Sequence, residues 1–88
     1  MKFTGNNVLV TGASRGIGAE IAKNLADFGL KVWVNFRSGE AEANAVKAEI
    51  EAAGGKAEVI GFDVSDEEAF VAAMKSIVEA DGELANLG

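Results

Sequence analysis

Gly12, Gly16 and Gly18 are spaced by three intervening residues and then one, with Thr11, Ala13, Ser14, Arg15 and Ile17 around them. One chemistry suits such a cluster: holding an anion. The first N–H groups of a helix have no partner within it, and the positive end of the helix dipole adds to their pull on a phosphate. Gly12 permits a tight turn, Gly16 lets backbone approach a diphosphate, and Gly18 lets the following helix lie close to the preceding strand. The order G-x-x-x-G-x-G is not the commoner G-x-G-x-x-G, and among 11 glycines it could serve a turn alone. Context favours phosphate binding. The apolar run Val8-Leu9-Val10 precedes the glycines and an amphipathic helical pattern follows, which suits the pyrophosphate of a dinucleotide. Arg15 in the loop and Arg37 after the next apolar run could offer guanidinium forks to phosphate oxygens; the alternative is two solvated surface arginines.

These residues need strands and helices to bring them together. A first strand is expected over 8–11, buried on both faces as its unbroken apolar character implies, and a helix over 15–28. Ile17, Ile21, Leu25 and Phe28, with Ala22 beside them, form the stripe expected to face the core, and Gly29 ends the helix. Val32, Trp33 and Val34 mark a second covered strand over 31–36, where Trp33 is either a packing residue or an adenine platform. A second helix over 39–53 presents Ala43, Val46, Ile50 and Ala53 and closes at Gly54-Gly55. The third strand, 57–62, is less apolar and suits a sheet edge. Ser65 with Glu68 reads as a capping box for a third helix whose buried side is Phe70, Met74, Ile77 and Val78, ending near Gly82.

Strand and helix therefore alternate three times. The fold class expected is α/β: a Rossmann-type βαβαβα half with a parallel sheet in the order 3-2-1, the first two helices on one face and the third on the other. Residues 1–88 form one domain, a dinucleotide-binding half, with the start of a fourth strand at 83–87.

Composition limits the partners. The chain's 88 residues can bury roughly 60–65% of the surface of the unfolded chain, enough for one thin core. A net charge of −6 opposes nonspecific binding to nucleic acid or an anionic membrane. No apolar stretch approaches the roughly 20 residues of a membrane span, and 1–4 lacks a secretory h-region, so the expected location is cytoplasmic. With no Cys and no His, disulfides, thiolate chemistry and the usual metal ligands are excluded, and no metal site is expected.

The stretch Thr11-Gly12-Ala13-Ser14-Arg15-Gly16-Ile17-Gly18 resembles the cofactor loop of the classical short-chain dehydrogenases/reductases, and within them it is most similar to the bacterial 3-oxoacyl-[acyl-carrier-protein] reductases. Asn35-Phe36-Arg37-Ser38 and Phe62-Asp63-Val64-Ser65-Asp66 lie where that family keeps its ribose and adenine contacts, and the resemblance runs from Lys2 to about Leu87. It implies a cofactor site made of Gly12, Ser14, Arg15, Gly16, Ile17, Gly18, Arg37, Ser38, Asp63 and Val64. A carboxylate after the second strand goes with NAD and basic residues there with the 2′-phosphate of NADP, so Arg37 and Ser38 imply NADP. For Asp63 two readings stay open: it borders the adenine, or loop N–H groups satisfy it locally.

The family's carbonyl reduction by NADPH uses a Tyr acid/base, a Lys that lowers its pKa, an orienting Ser and a supporting Asn. This chain has no Tyr, and a positioned proton donor contributes ~10²–10⁴-fold, so no catalytic residue and no reductase activity are expected of it alone. Two functions are expected to compete. The chain is the NADP-binding N-terminal portion of a 3-oxoacyl-[acyl-carrier-protein] reductase of fatty acid biosynthesis, truncated before the catalytic half, with acyl carrier protein a partner of the complete enzyme only. Alternatively, it is an excised or engineered stand-alone module that has no functional ligand. In either case the edge of the first strand is expected to pair with the missing half or with another copy.

Overall fold

The computed structural model describes residues 7–13 and 16–81. Its central strand is the most deeply buried: in β2 (Lys31–Phe36), Val32 and Val34 are fully buried. β1 (Asn7–Val10) pairs with one side of β2 and β3 (Lys56–Gly61) with the other, both in parallel, giving the order β1-β2-β3. Val8 is level with Val32 and Ala57, and Val10 with Val34 and Val59, so one face carries continuous rows of small and β-branched side chains. Parallel neighbours require a crossover between them, and α1 (Gly16–Asp27) and α2 (Glu40–Ala52) supply it. The expected 3-2-1 order is thus observed.

Both crossover helices pack on the same rows. Ala19, Ala22 and Ala26 of α1 and Ala43, Val46 and Ile50 of α2 form one cluster with Val8, Val10, Val32, Val34 and Ala57. The buried face of α1 is therefore made of alanines and not of the larger stripe that periodicity suggests. Ile17 is 80% exposed and Phe28 76%, while Ile21 is exposed and Leu25 packs only partly against the cluster. Lys23 of α1 reaches Glu49 of α2 at 2.5 Å, a contact that solvent screens.

The end of α2 follows the glycine pair. Gly55 N–H donates to Ile50 O and Gly54 N–H to Glu51 O, a Schellman closure, and this leaves Ala53 exposed at the cap instead of in the core. Trp33 is only half-buried, with Lys31 Nζ 5.1 Å from its ring centroid, so the face of β2 away from α1 and α2 is incompletely covered.

α3 (Glu67–Asp81) buries Ala73 and Ile77, leaves Phe70 and Met74 half-buried and exposes Val78. Its cap is also shifted by one residue from the expected Ser65. Asp66 Oδ1 accepts the N–H of Ala69, the third helical residue, at 3.1 Å. Ser65 is engaged elsewhere: its N–H and hydroxyl both donate to Asp63 Oδ1, at 2.9 and 2.7 Å. The expected fourth-strand entry at 83–87 and the terminator Gly82 lie outside the described residues.

Candidate functional site

The three strands run the same way, so the loops that follow them meet at one edge of the sheet, where ligands of open α/β folds bind. The loop after β1 turns at Gly12, with φ +62°, and enters α1 at Gly16, with φ +65°. That left-handed backbone costs a residue with a Cβ roughly 1–2 kcal/mol, and a Cβ built at either position meets nothing within 4 Å. Open space beside both is what a diphosphate needs. Gly18 is limited differently. A Cβ there would stand 2.3 Å from Gly12 O and 2.9 Å from Gly12 C, so the first turn of α1 rests directly on the backbone of the turn. This contact seats the helix on the strand, as the glycine spacing implies.

Ser14 and Arg15, expected to contact the cofactor, lie outside the described residues. Ile17 is exposed at the start of α1, next to the glycine turn.

The second and third loops meet through an ion pair. Arg37 follows β2 and Asp63 follows β3, and Arg37 Nε lies 3.3 Å from Asp63 Oδ2. Arg37 is 78% exposed and Asp63 35%, so solvent screens their attraction. The other carboxylate oxygen of Asp63 accepts both donors of Ser65. These bonds favour the charged form. The Ser65 N–H first, then its hydroxyl, and to a smaller degree the Arg37 guanidinium hold the Asp63 carboxyl below its ordinary range. Local loop donors thus satisfy Asp63, one of the two readings left open above. Ser38 and Val64 are exposed on the same two loops.

Asn35 was not among the candidate site residues, yet from β2 it bonds the loops that follow β1 and β3. It is buried, 3% exposed, at the end of β2. Its Oδ1 accepts the N–H of Gly12 at 3.3 Å, and its Nδ2 lies 3.3 Å from Ile60 O and 3.1 Å from Phe62 O. Its main-chain oxygen accepts the N–H of Ala13 at 3.2 Å. The sequence did carry a signal. An amide inside the run Val32-Trp33-Val34-Asn35-Phe36 is costly to bury unless neighbouring groups satisfy it.

Among the described residues no group of three or more acidic, His or Cys side chains could hold a metal, and no helix is long and apolar enough to cross a membrane.

Comparison with known proteins agrees with this geometry. The family model described as short chain dehydrogenase matches residues 6–87. An uncharacterized oxidoreductase of Methylorubrum extorquens is 55% identical over 64 residues, covering 73% of this chain and 26% of that protein. The 3-oxoacyl-[acyl-carrier-protein] reductase FabG of Staphylococcus aureus is 43% identical over 84 residues, covering 96% of this chain and 34% of the reductase. Among solved structures, a metagenomic short-chain oxidoreductase in complex with NADP superposes with a TM-score of 0.85 at 40% identity, over 90% of this chain and 35% of that one. A dehydrogenase/reductase from Sinorhizobium meliloti 1021 gives 0.86 at 48% identity, over 91% of this chain and 32% of that one. The chain therefore spans about a quarter to a third of the length of these relatives. Because the match runs through all three strands, all three helices and the loops between them, the chain belongs to the classical short-chain dehydrogenase/reductase family.

Proposed function

We propose that this chain is the NADP-binding portion of a short-chain reductase, and that the reductase acts on 3-oxoacyl groups carried by acyl carrier protein. The observation that carries the cofactor reading is the open space beside Gly12 and Gly16, at the point where α1 begins over the carboxyl edge of the sheet. The unpaired N–H groups of the first turn of α1 would hold the diphosphate there. Arg37 and Ser38 would take the 2′-phosphate, and Asp63 and Val64 would border the adenine. The similarity to FabG supports the substrate class, and the neighbour solved with NADP supports the choice of coenzyme.

Bound NADP supplies the hydride chemistry; this chain contributes binding and orientation. The 88 residues include no Tyr, the acid/base that the family resemblance implies, so no catalytic role is assigned to them. The Arg37–Asp63 pair is compatible with the 2′-phosphate role. A charge-assisted bond from guanidinium to phosphate is worth about 1.5–3 kcal/mol, more than the screened pair that it replaces. Titration with NADPH and NADH tests this. Arg37→Asp is expected to weaken NADPH roughly tenfold to a hundredfold, as that bond energy implies, and to leave NADH within about threefold. Equal weakening of both removes the argument for NADP.

One observation favours a second reading. Among the described residues β1 is hydrogen-bonded to β2 alone and so lies at an edge of the sheet. A strand from the rest of the enzyme or a second copy of this chain would cover it. Sedimentation separates the readings: a concentration-dependent oligomer that ignores NADPH supports a self-associating module without a ligand.

A further inference from the structure

We infer that Asn35 is a positioning residue for the coenzyme: one buried amide fixes the diphosphate turn against the third strand. The inference rests on the NADP reading above. Asn35 touches no ligand in this reading; its effect passes through Gly12. The Gly12 N–H is occupied by Asn35 Oδ1 and the neighbouring Ala13 N–H by Asn35 O, so the turn is tied to β2 at two successive residues. The opposite end of the same amide is anchored on Ile60 O and Phe62 O, at the end of β3. Sheet hydrogen bonds could not do this. The regular pairing of β1 with β2 ends at Val10 and Val34, before the turn begins. Gly12 has no side chain, and among the described residues none beyond its two chain neighbours comes within 4 Å of the position its Cβ would take; beyond that register these bonds, and the helix resting on it at Gly18, hold it in place.

The position of the turn matters to a diphosphate but little to a ligand that has none. Asn35→Leu keeps a side chain of similar size and removes every side-chain bond. In the intact protein it is expected to weaken NADP+ and NAD+ by the same factor, tenfold or more, and 2′-AMP by less than threefold. A mere loss of folded protein would weaken all three alike. Arg37→Asp gives the opposite pattern, sparing NAD+ and weakening both 2′-phosphorylated ligands. Should Asn35→Leu fail to fold, Asn35→Ser retains a small polar group that water can satisfy but that is too short to reach Gly12. It is expected to show the same ligand order, and faster hydrogen exchange at Gly12 than at Val32 or Val34. If the unsubstituted protein binds neither dinucleotide, the cofactor reading falls and this inference with it. Normal binding by the unsubstituted protein, with no change in either Asn35 variant or with equal losses for all three ligands, overturns this inference alone.

Discussion

Replacing Gly18 by Ala adds one methyl carbon at the most constrained point of the structure. That carbon would stand 2.3 Å from Gly12 O, whereas carbon–oxygen contact begins at about 3.3 Å, so turn and helix must separate by about 1 Å. The obstruction is backbone and cannot swing aside. Two effects on stability oppose each other. Alanine is better than glycine inside a helix by about 1 kcal/mol, while overpacking costs about 1–3 kcal/mol. The net loss is about 0–2 kcal/mol, lowering Tm by at most roughly 15 °C, so the variant is expected to fold. Binding should suffer more. A displacement of that size breaks at least one backbone bond to a diphosphate, and a charge-assisted bond is worth about 1.5–3 kcal/mol, or roughly tenfold to a hundredfold in Kd. The assay is NADP+ titration of the intact protein by calorimetry, with a thermal melt of the same sample. A well-folded Gly18→Ala variant that binds NADP+ within threefold of the unsubstituted protein would refute the claim that this contact sets the turn for the coenzyme.

Two further expectations follow from the loop after β3. Asp66→Ala removes the cap on the Ala69 N–H and is expected to cost about 0.5–2 kcal/mol in urea unfolding, with Asp66→Asn close to the unsubstituted protein; if Ser65→Ala is the costlier change, the cap has been misplaced. The Asp63 carboxyl is held below its unfolded value of about 3.9, so the stability it contributes is present above that pH and is lost as pH falls through the lower folded value. Asp63→Asn should therefore flatten the acid limb of stability below about pH 4, and an unchanged limb in acid titration followed by circular dichroism would count against the Ser65 bonds as its source.

Strand order, helix order and the glycine turn were legible in the sequence because each depends on local pattern. Apolar runs give the strands, their alternation with helices gives the parallel order, and the glycine spacing gives the corner. Three features were not legible, and two share a cause. The core stripe of α1 was placed on Ile17, Ile21, Leu25 and Phe28 with Ala22 beside them; Ala22 is buried and Leu25 partly so, but Ile17, Ile21 and Phe28 are exposed and Ala19 and Ala26 are buried in their stead. Periodicity reports which residues share a face, but not which part of that face meets the sheet. Nor does a hydropathy pattern encode the seating of Gly18 on Gly12, a contact between residues six apart. Asn35 was missed for a related reason: its partners are 23 to 27 residues away and exist only once the strands are in register. The capping box failed through local competition, because the Asp63 carboxylate takes the Ser65 hydroxyl and Asp66 caps α3 instead. The first two errors carry a lesson about the site. The buried face of α1 is mostly alanine, and the same helix begins by resting Gly18 on the glycine turn, so the packing of α1 and the position of the corner are joined through one helix. A substitution that lifts α1 to admit a larger core residue, such as Ala22→Leu, would be expected to move the corner as well as the core.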